Sequence, residues 1–175
     1  MAKKSAYIRL AGTLATLGPI GTKLPAPGTW GALAGTLFYW LAFLKAGITG
    51  GNAFWLAAGT LVLIAIPICS AGEKWLGKTD PGQVNFDEFA VMPLCFAGLG
   101  NVIAGAGTHG QILWLLAGFA LFRVFDIAKP FGIKKLQKFP GGFGVVIDDV
   151  AAAFATAGTL WCARWIYVFT ANLIN

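Results

Sequence analysis

Five apolar runs, at 30–44, 53–71, 86–106, 112–125 and 150–173, constrain this chain more than any other feature. A membrane-spanning helix needs about 20 predominantly apolar residues, and three of the runs come close to or exceed that. The first and fourth, at about 15 residues, reach it only if flanking small residues extend them, or they pack as helices among the others. Composition agrees, with 57% hydrophobic and 11% charged residues where soluble domains carry about 25% charged. The expected fold is all-α: a polytopic membrane helical bundle of four or five spans, one domain over 1–175. The segment 6–20 carries Thr13, Thr16, Gly18 and Pro19 and reads as an N-terminal interfacial helix. Arg9 interrupts its apolar character, so Met1 to Lys4 are expected to belong to the protein and not to a cleaved signal peptide.

Basic residues orient the runs. Of the thirteen Lys and Arg, eleven lie before Trp30, between the second and third runs, or from Arg123 up to the fifth; Lys45 and Arg164 do not. The positive-inside rule then places the N-terminus and those two connections in the cytoplasm, with 46–52 and 107–111 outside. The rule counts only Lys and Arg, yet the seven acidic residues fall on the same side. Six of them, Asp80, Asp87, Glu88, Asp126, Asp148 and Asp149, occupy three short segments at the ends of runs. Carboxylates against a membrane need a cation, a partner or a function, and these read as a metal site on the cytoplasmic face. Glu73 stands apart beside Lys74, where a surface ion pair is sufficient. Part of the net charge of +6 serves attraction to anionic lipid, and no nucleic-acid partner is expected.

Four segments carry the chemistry. LPAPGTWG, from Leu24 to Gly31, holds an extended entry at Pro25 and Pro27, allows a turn at Gly28, and offers Thr29 as N-cap of the first apolar helix. That helix start is either purely structural or a phosphate site. DPGQVNFDE, from Asp80 to Glu88, reads as a helix capped by Asp80 with Pro81 in its first position, which brings Asp87 nearly in line with Asp80. Asp87 and Glu88 repel one another unless a divalent cation or basic groups offset them. FRVFDIAKP, from Phe122 to Pro130, places Arg123, Asp126 and Lys129 at spacing three on one helical face, an alternating ion ladder. A basic stretch at 132–138 follows, and then GGFGVVIDD, where Gly141, Gly142 and Gly144 form a loop able to approach another group closely. Neither nucleotide-binding glycine pattern is present. Cys69, Cys95 and Cys162 occur singly in apolar runs and are expected to pack in the core.

In this order and at these separations, the four segments resemble the phosphatidylglycerophosphatase A family, a bacterial inner-membrane lipid phosphatase, with the likeness running over about 24–153. The resemblance implies a multi-pass protein of the inner membrane with its active site facing the cytoplasm. It implies a need for magnesium and removal of the terminal phosphate of an anionic phospholipid, phosphatidylglycerophosphate, to give phosphatidylglycerol. It implicates Asp80, Asp87, Glu88, Arg123, Asp126, Lys129, Asp148 and Asp149. Val91, Gly132 and Ala153 depart from the family's usual residues, at packing or turn positions.

Elimination points the same way. His109 is the only histidine and lies in the expected outer loop; Ser5 and Ser70 are the only serines; no DxDx[TV] motif occurs. A covalent route through Ser, Cys or His therefore lacks its nucleophile, which leaves metal-assisted hydrolysis, by direct attack of water or through an aspartyl-phosphate. Mg2+ is expected on oxygens of Asp87, Glu88, Asp148 or Asp149. Asp126 or Asp80 would orient water, and Arg123 and Lys129 would offset phosphoryl charge. Thr29, Lys134 and Lys135 are the expected substrate-binding residues. A small cation transporter with a carboxylate-lined pathway is the rival, set back because transport sites usually lie near the midplane. A magnesium-dependent lipid synthase would show a DGxxAR-type motif, absent here.

Overall fold

The computed structural model describes residues 6–130 and 132–174; Met1 to Lys4 and Ser5, on which the leader and topology readings drew, and Phe131 lie outside the described residues. Helices joined by short connections make up the described residues, without a strand among them. The elements are α1 (Ala6–Ala15), α2 (Pro19–Lys23), α3 (Pro27–Phe38) running into a π-helical segment Tyr39–Leu44, α4 (Gly51–Leu76), α5 (Phe86–Val91) followed by a 3₁₀ segment Met92–Phe96, α6 (Gly100–Gly105), α7 (Gly107–Ala128), a 3₁₀ segment Ile133–Lys138, and α8 (Gly142–Ile174).

Among the described residues, three helices are long and apolar enough to cross a membrane: Gly51–Leu76, Gly107–Ala128 and Gly142–Leu173. The short fourth run reaches spanning length by drawing in 107–111 and 126–128. The first run forms α3 and the π segment. This helix turns one face inward, with Gly31, Ala32, Gly35 and Thr36 buried, and leaves Leu33, Leu37 and Leu41 exposed in a stripe suited to lipid.

The third run departs from a continuous helix. It is α5, the 3₁₀ segment, a turn at Gly98 with φ 75°, and α6. Pro93 lacks an N–H to extend the helix, and Ala97 turns extended at ψ 126°. Such backbone is tolerated at membrane depth only when protein surrounds it. Met92, Leu94, Cys95, Phe96 and Leu99 are accordingly buried, and the Trp161 indole N–H donates to the Ala97 carbonyl at 3.1 Å. Tyr39 stacks on Phe96 with ring centroids 4.4 Å apart, which ties the π segment to the same place. α5 is thereby wedged among α1, α3, α4 and α8.

Several local expectations are corrected. The helix bearing Asp87 begins at Phe86 behind Asn85, whereas Asp80 lies outside it in a left-handed conformation at φ 45°. The segment between them is held elsewhere: the Asn85 backbone N–H donates to the Ala15 carbonyl, and its side-chain amide donates to the Pro27 carbonyl. Thr29 is not an N-cap. Ala26 precedes the helix, Pro27 is its first residue, and the Thr29 N–H already donates to the Ala26 carbonyl. Gly142 and Gly144 lie in the first turn of α8 and not in a loop; the Gly142 N–H donates to Ser70 Oγ at 2.8 Å. Cys69 and Cys95 are core residues, but Cys162 is exposed on the far part of α8.

Thr49, between the π segment and α4, hydrogen-bonds Asn101 of α6, and the Trp40 indole N–H donates to Gln111 Oε1 on α7.

Candidate active site

Local sequence delivers the parts of the site on three helices. α7 ends at Ala128 with Lys129 left-handed at φ 42°, its N–H donating to the Phe125 carbonyl, and Pro130 barring another turn. The spacing of three survives this ending. Arg123 Nη1 lies 2.8 Å from Asp126 Oδ2, and Lys129 Nζ lies 3.7 Å from Asp126 Oδ1. The ladder then leaves its own helix at both ends: Arg123 Nη1 reaches Glu88 Oε1 on α5 at 3.6 Å, and Lys129 Nζ donates to Asp148 Oδ2 on α8. Burial pulls the Lys129 ammonium down, but its bond to Asp148 and the charges of Asp148, Asp149 and Asp126 outweigh that and hold its pKa above the ordinary lysine value.

A second group joins this line. One oxygen each from Asp87, Glu88 and Asp149 lie within 4.8 Å of one another, with Asp87 and Asp149 buried. The five carboxylates of the two groups face only Arg123 and Lys129 in ion pairs among the described residues. Asp87 Oδ1, Glu88 Oε2 and Asp148 Oδ1 are buried acceptors without a hydrogen-bond partner, and Arg123 Nε is a buried donor without one. Leaving such groups unsatisfied costs about 1–3 kcal/mol each, more when charged. Missing acceptor partners call for a cation, and a missing donor partner calls for an anion. The hard oxygen set of Asp87, Glu88 and Asp149 fits a divalent ion such as magnesium or calcium.

Not every expected residue joins the centre. Asp148 is committed on one oxygen to Lys129. Asp80 sits at the exposed rim, where its carboxylate accepts from Gln137 Nε2 at 3.2 Å and its N–H donates to Glu73 Oε1 at 2.8 Å. Glu73, set aside as a surface residue, thus holds the Asp80 turn. Lys134 and Lys135 are exposed on the 3₁₀ segment, and Thr29 is half-buried near the start of α3.

Sequence reasoning missed the residues that let the helices close. A side chain on Gly28 would run into Glu88 Oε1 and lie 3.2 Å from Arg123 Nη1; one on Gly31 would lie 2.5 Å from the Asn85 carbonyl oxygen, and one on Gly35 2.5 Å from that of Phe89. The signal was present as a glycine stripe at i, i+3 and i+7, the spacing of one helix face that approaches a neighbour. Asn85 gave no comparable signal. Cys69, read as packing, is buried within electrostatic range of Asp87, Glu88 and Asp149.

The chain is 37% identical over 130 residues to Phosphatidylglycerophosphatase A of Haemophilus influenzae, covering 74% of this chain and 73% of that protein. It is 32% identical over 146 residues to a Putative phosphatidylinositol-3-phosphatase of Bacteroides thetaiotaomicron, covering 81% and 85%. It is 31% identical over 137 residues to Phosphatidylglycerophosphatase A of Escherichia coli K12, covering 77% and 72%. No solved structure matches. A family model described as Phosphatidylglycerophosphatase A matches residues 13–164, and the chain belongs to that family.

Proposed function

We propose that this protein is a magnesium-dependent phosphatase that hydrolyses phosphatidylglycerophosphate to phosphatidylglycerol and phosphate. It would act as a single domain over 1–175 at the cytoplasmic face of a bacterial inner membrane. One observation carries the reading. Buried acceptors on Asp87 and Glu88 and a buried donor on Arg123, all unpartnered, lie along one line of contacts, as a cation and a phosphate bound side by side require.

Asp87, Glu88 and Asp149 would hold the magnesium ion, with Asp148 beside them. When bound it would supply Lewis-acid polarisation of the phosphoryl oxygens. Arg123 binds the phosphoryl group through its free Nε, and Lys129 offsets charge that develops on it. Asp126 has an oxygen on each cation, so its part is to orient them rather than to take a proton. Asp148 Oδ1, free of partners, is the acceptor left for a proton of the attacking water. As the water oxygen bonds to phosphorus, the bond to the glycerol oxygen breaks, and that oxygen takes up the proton that Asp148 accepted to become the free hydroxyl. Asp80 lines the mouth, and Thr29, Lys134 and Lys135 draw in the anionic headgroup.

The test is phosphate release by purified protein from phosphatidylglycerophosphate, phosphatidylinositol-3-phosphate and phosphatidic acid, with magnesium or with chelator. Release from the first that stops with chelator, and is lost in Asp87→Asn and Glu88→Gln while both variants keep the wild-type melting temperature, is the expected result. Full activity in either variant removes that residue from the site, and preference for the inositol lipid transfers the assignment to that substrate. Uncoupled metal flux in liposomes without phosphate release would restore the transporter reading.

A further inference from the structure

The seam between α3 and α7 carries the catalytic contacts at one end and an apolar groove along the rest. At the catalytic end, Gly28 of α3 lets Glu88 and Arg123 meet against the helix. Farther along the same two helices lies a cavity of about 310 Å³ lined by Leu33, Leu37 and Trp40 from α3 and its π segment, and by Ile112, Leu115 and Leu116 from α7. Its far end is closed by a built contact: the Trp40 indole N–H donates to Gln111 Oε1 at 3.2 Å, and Gln111 Nε2 donates to the Ala104 carbonyl at 3.2 Å.

The rise of a helix, 1.5 Å per residue, sets the scale. Leu116 and Ile112 lie about 10 and 16 Å along α7 from Arg123, and Leu33 and Trp40 lie about 7 and 18 Å along the other wall from Gly28. Half of a hydrocarbon core of about 30 Å is about 15 Å. The groove thus begins about 7–10 Å from the level of Arg123 and Gly28 and ends about 16–18 Å from it, the depth that the far half of an acyl chain reaches in one leaflet. We infer that it receives an acyl chain of the phospholipid substrate while the phosphate is held at Arg123, which makes the α3–α7 seam the side by which lipid enters. The inference rests on the proposed activity and names its lipid-tail site.

Lipid tails are as apolar as the groove, so entry is not driven by hydrophobic transfer. What the groove contributes is orientation, since a chain laid along the seam fixes the headgroup relative to Arg123 and Glu88. Leu37 and Leu116 are exposed at 53% and 54%, so tryptophan at either position fills the groove without crowding the core.

The experiment compares kcat/KM for phosphatidylglycerophosphate with long chains and with six-carbon chains, in detergent micelles. In Leu37→Trp and Leu116→Trp the long-chain to short-chain ratio should fall about tenfold, ~1.4 kcal/mol. Leu56→Trp and Leu63→Trp, on exposed positions of α4, should leave it unchanged. An unchanged ratio in the groove variants, or the same fall in the α4 variants, overturns the inference. Wild-type protein inactive on both chain lengths would refute the proposed function instead. Cross-linking in nanodiscs then decides the groove separately, using a phosphomonoester lipid with a diazirine in mid-chain against a phosphatidylcholine carrying the same chain. Adducts enriched on 33–40 and 108–116 with the phosphomonoester probe support the groove, and identical maps for the two probes overturn it.

Discussion

Adding a single methyl group at Gly28 should disable the site while leaving the fold intact. The new Cβ would occupy the place of Glu88 Oε1 and stand 3.0 Å from Glu88 Cδ and 3.2 Å from Arg123 Nη1. Ordinary heavy-atom contacts need about 3.5–4.0 Å, so the carboxylate must swing aside by about 1 Å or more. It is the far end of a flexible side chain, and stability should change by less than about 1 kcal/mol. The displaced carboxylate loses its 3.6 Å pairing with Arg123 and its place within 4.8 Å of Asp87 and Asp149 oxygens. A misplacement of about 1 Å at a reacting centre is worth about 10²-fold, or ~2.7 kcal/mol of barrier. Gly31→Ala and Gly35→Ala meet backbone oxygens at 2.5 Å instead, which cannot step aside, so those variants should lose about 1–3 kcal/mol of stability. Gly59→Ala, with nothing within 4 Å, should gain about 0.5–1 kcal/mol. The assay pairs phosphate release from phosphatidylglycerophosphate with thermal unfolding of the same preparation. Wild-type kcat/KM in Gly28→Ala, or activity lost only in step with melting temperature, would refute the reasoning.

Two further substitutions probe the other contacts. Arg123→Lys keeps the charge facing Glu88 and Asp126 but removes the Nε donor, so kcat/KM should fall at least about tenfold with little loss of stability, whereas Arg123→Ala takes the ion-pair partner from Glu88, leaves Asp126 with Lys129 alone, and should also destabilise by about 3 kcal/mol. Unchanged kinetics in the lysine variant would reduce the ladder to a structural ion network. Trp161→Phe removes the donor to the Ala97 carbonyl at the break in the third run and should lower stability by about 1–3 kcal/mol, read by thermal unfolding in detergent; an unshifted transition would show that this carbonyl finds another partner.

Legibility followed the range of the interaction. Relations between residues a few positions apart, such as the ladder from Arg123 through Asp126 to Lys129, could be read directly because one helical turn sets them. Prediction failed where a distant partner overrode a local preference. Asp80 followed by Pro81 is a good helix start, but Asn85, bonded to Ala15 and Pro27, begins the helix five residues later. Likewise 86–106 is apolar enough to span, yet Pro93, the turn at Gly98 and the reach of Trp161 break it into pieces around α5.

The sequence by itself determined that this chain is a bundle of apolar helices with its carboxylates gathered toward one face, because hydrocarbon accepts long uncharged runs as helices and confines charge to their ends. Only the tertiary structure decided which carboxylates meet. Asp148 and Asp149 are adjacent in the chain, yet one turns to Lys129 and the other to Asp87 and Glu88 more than sixty residues away. Successive residues on a helix point about 100 degrees apart, so neighbours in sequence face different partners, and what those partners are depends on how closely α3, α5, α7 and α8 can approach. Glycines 28, 31 and 35 set that approach for α3.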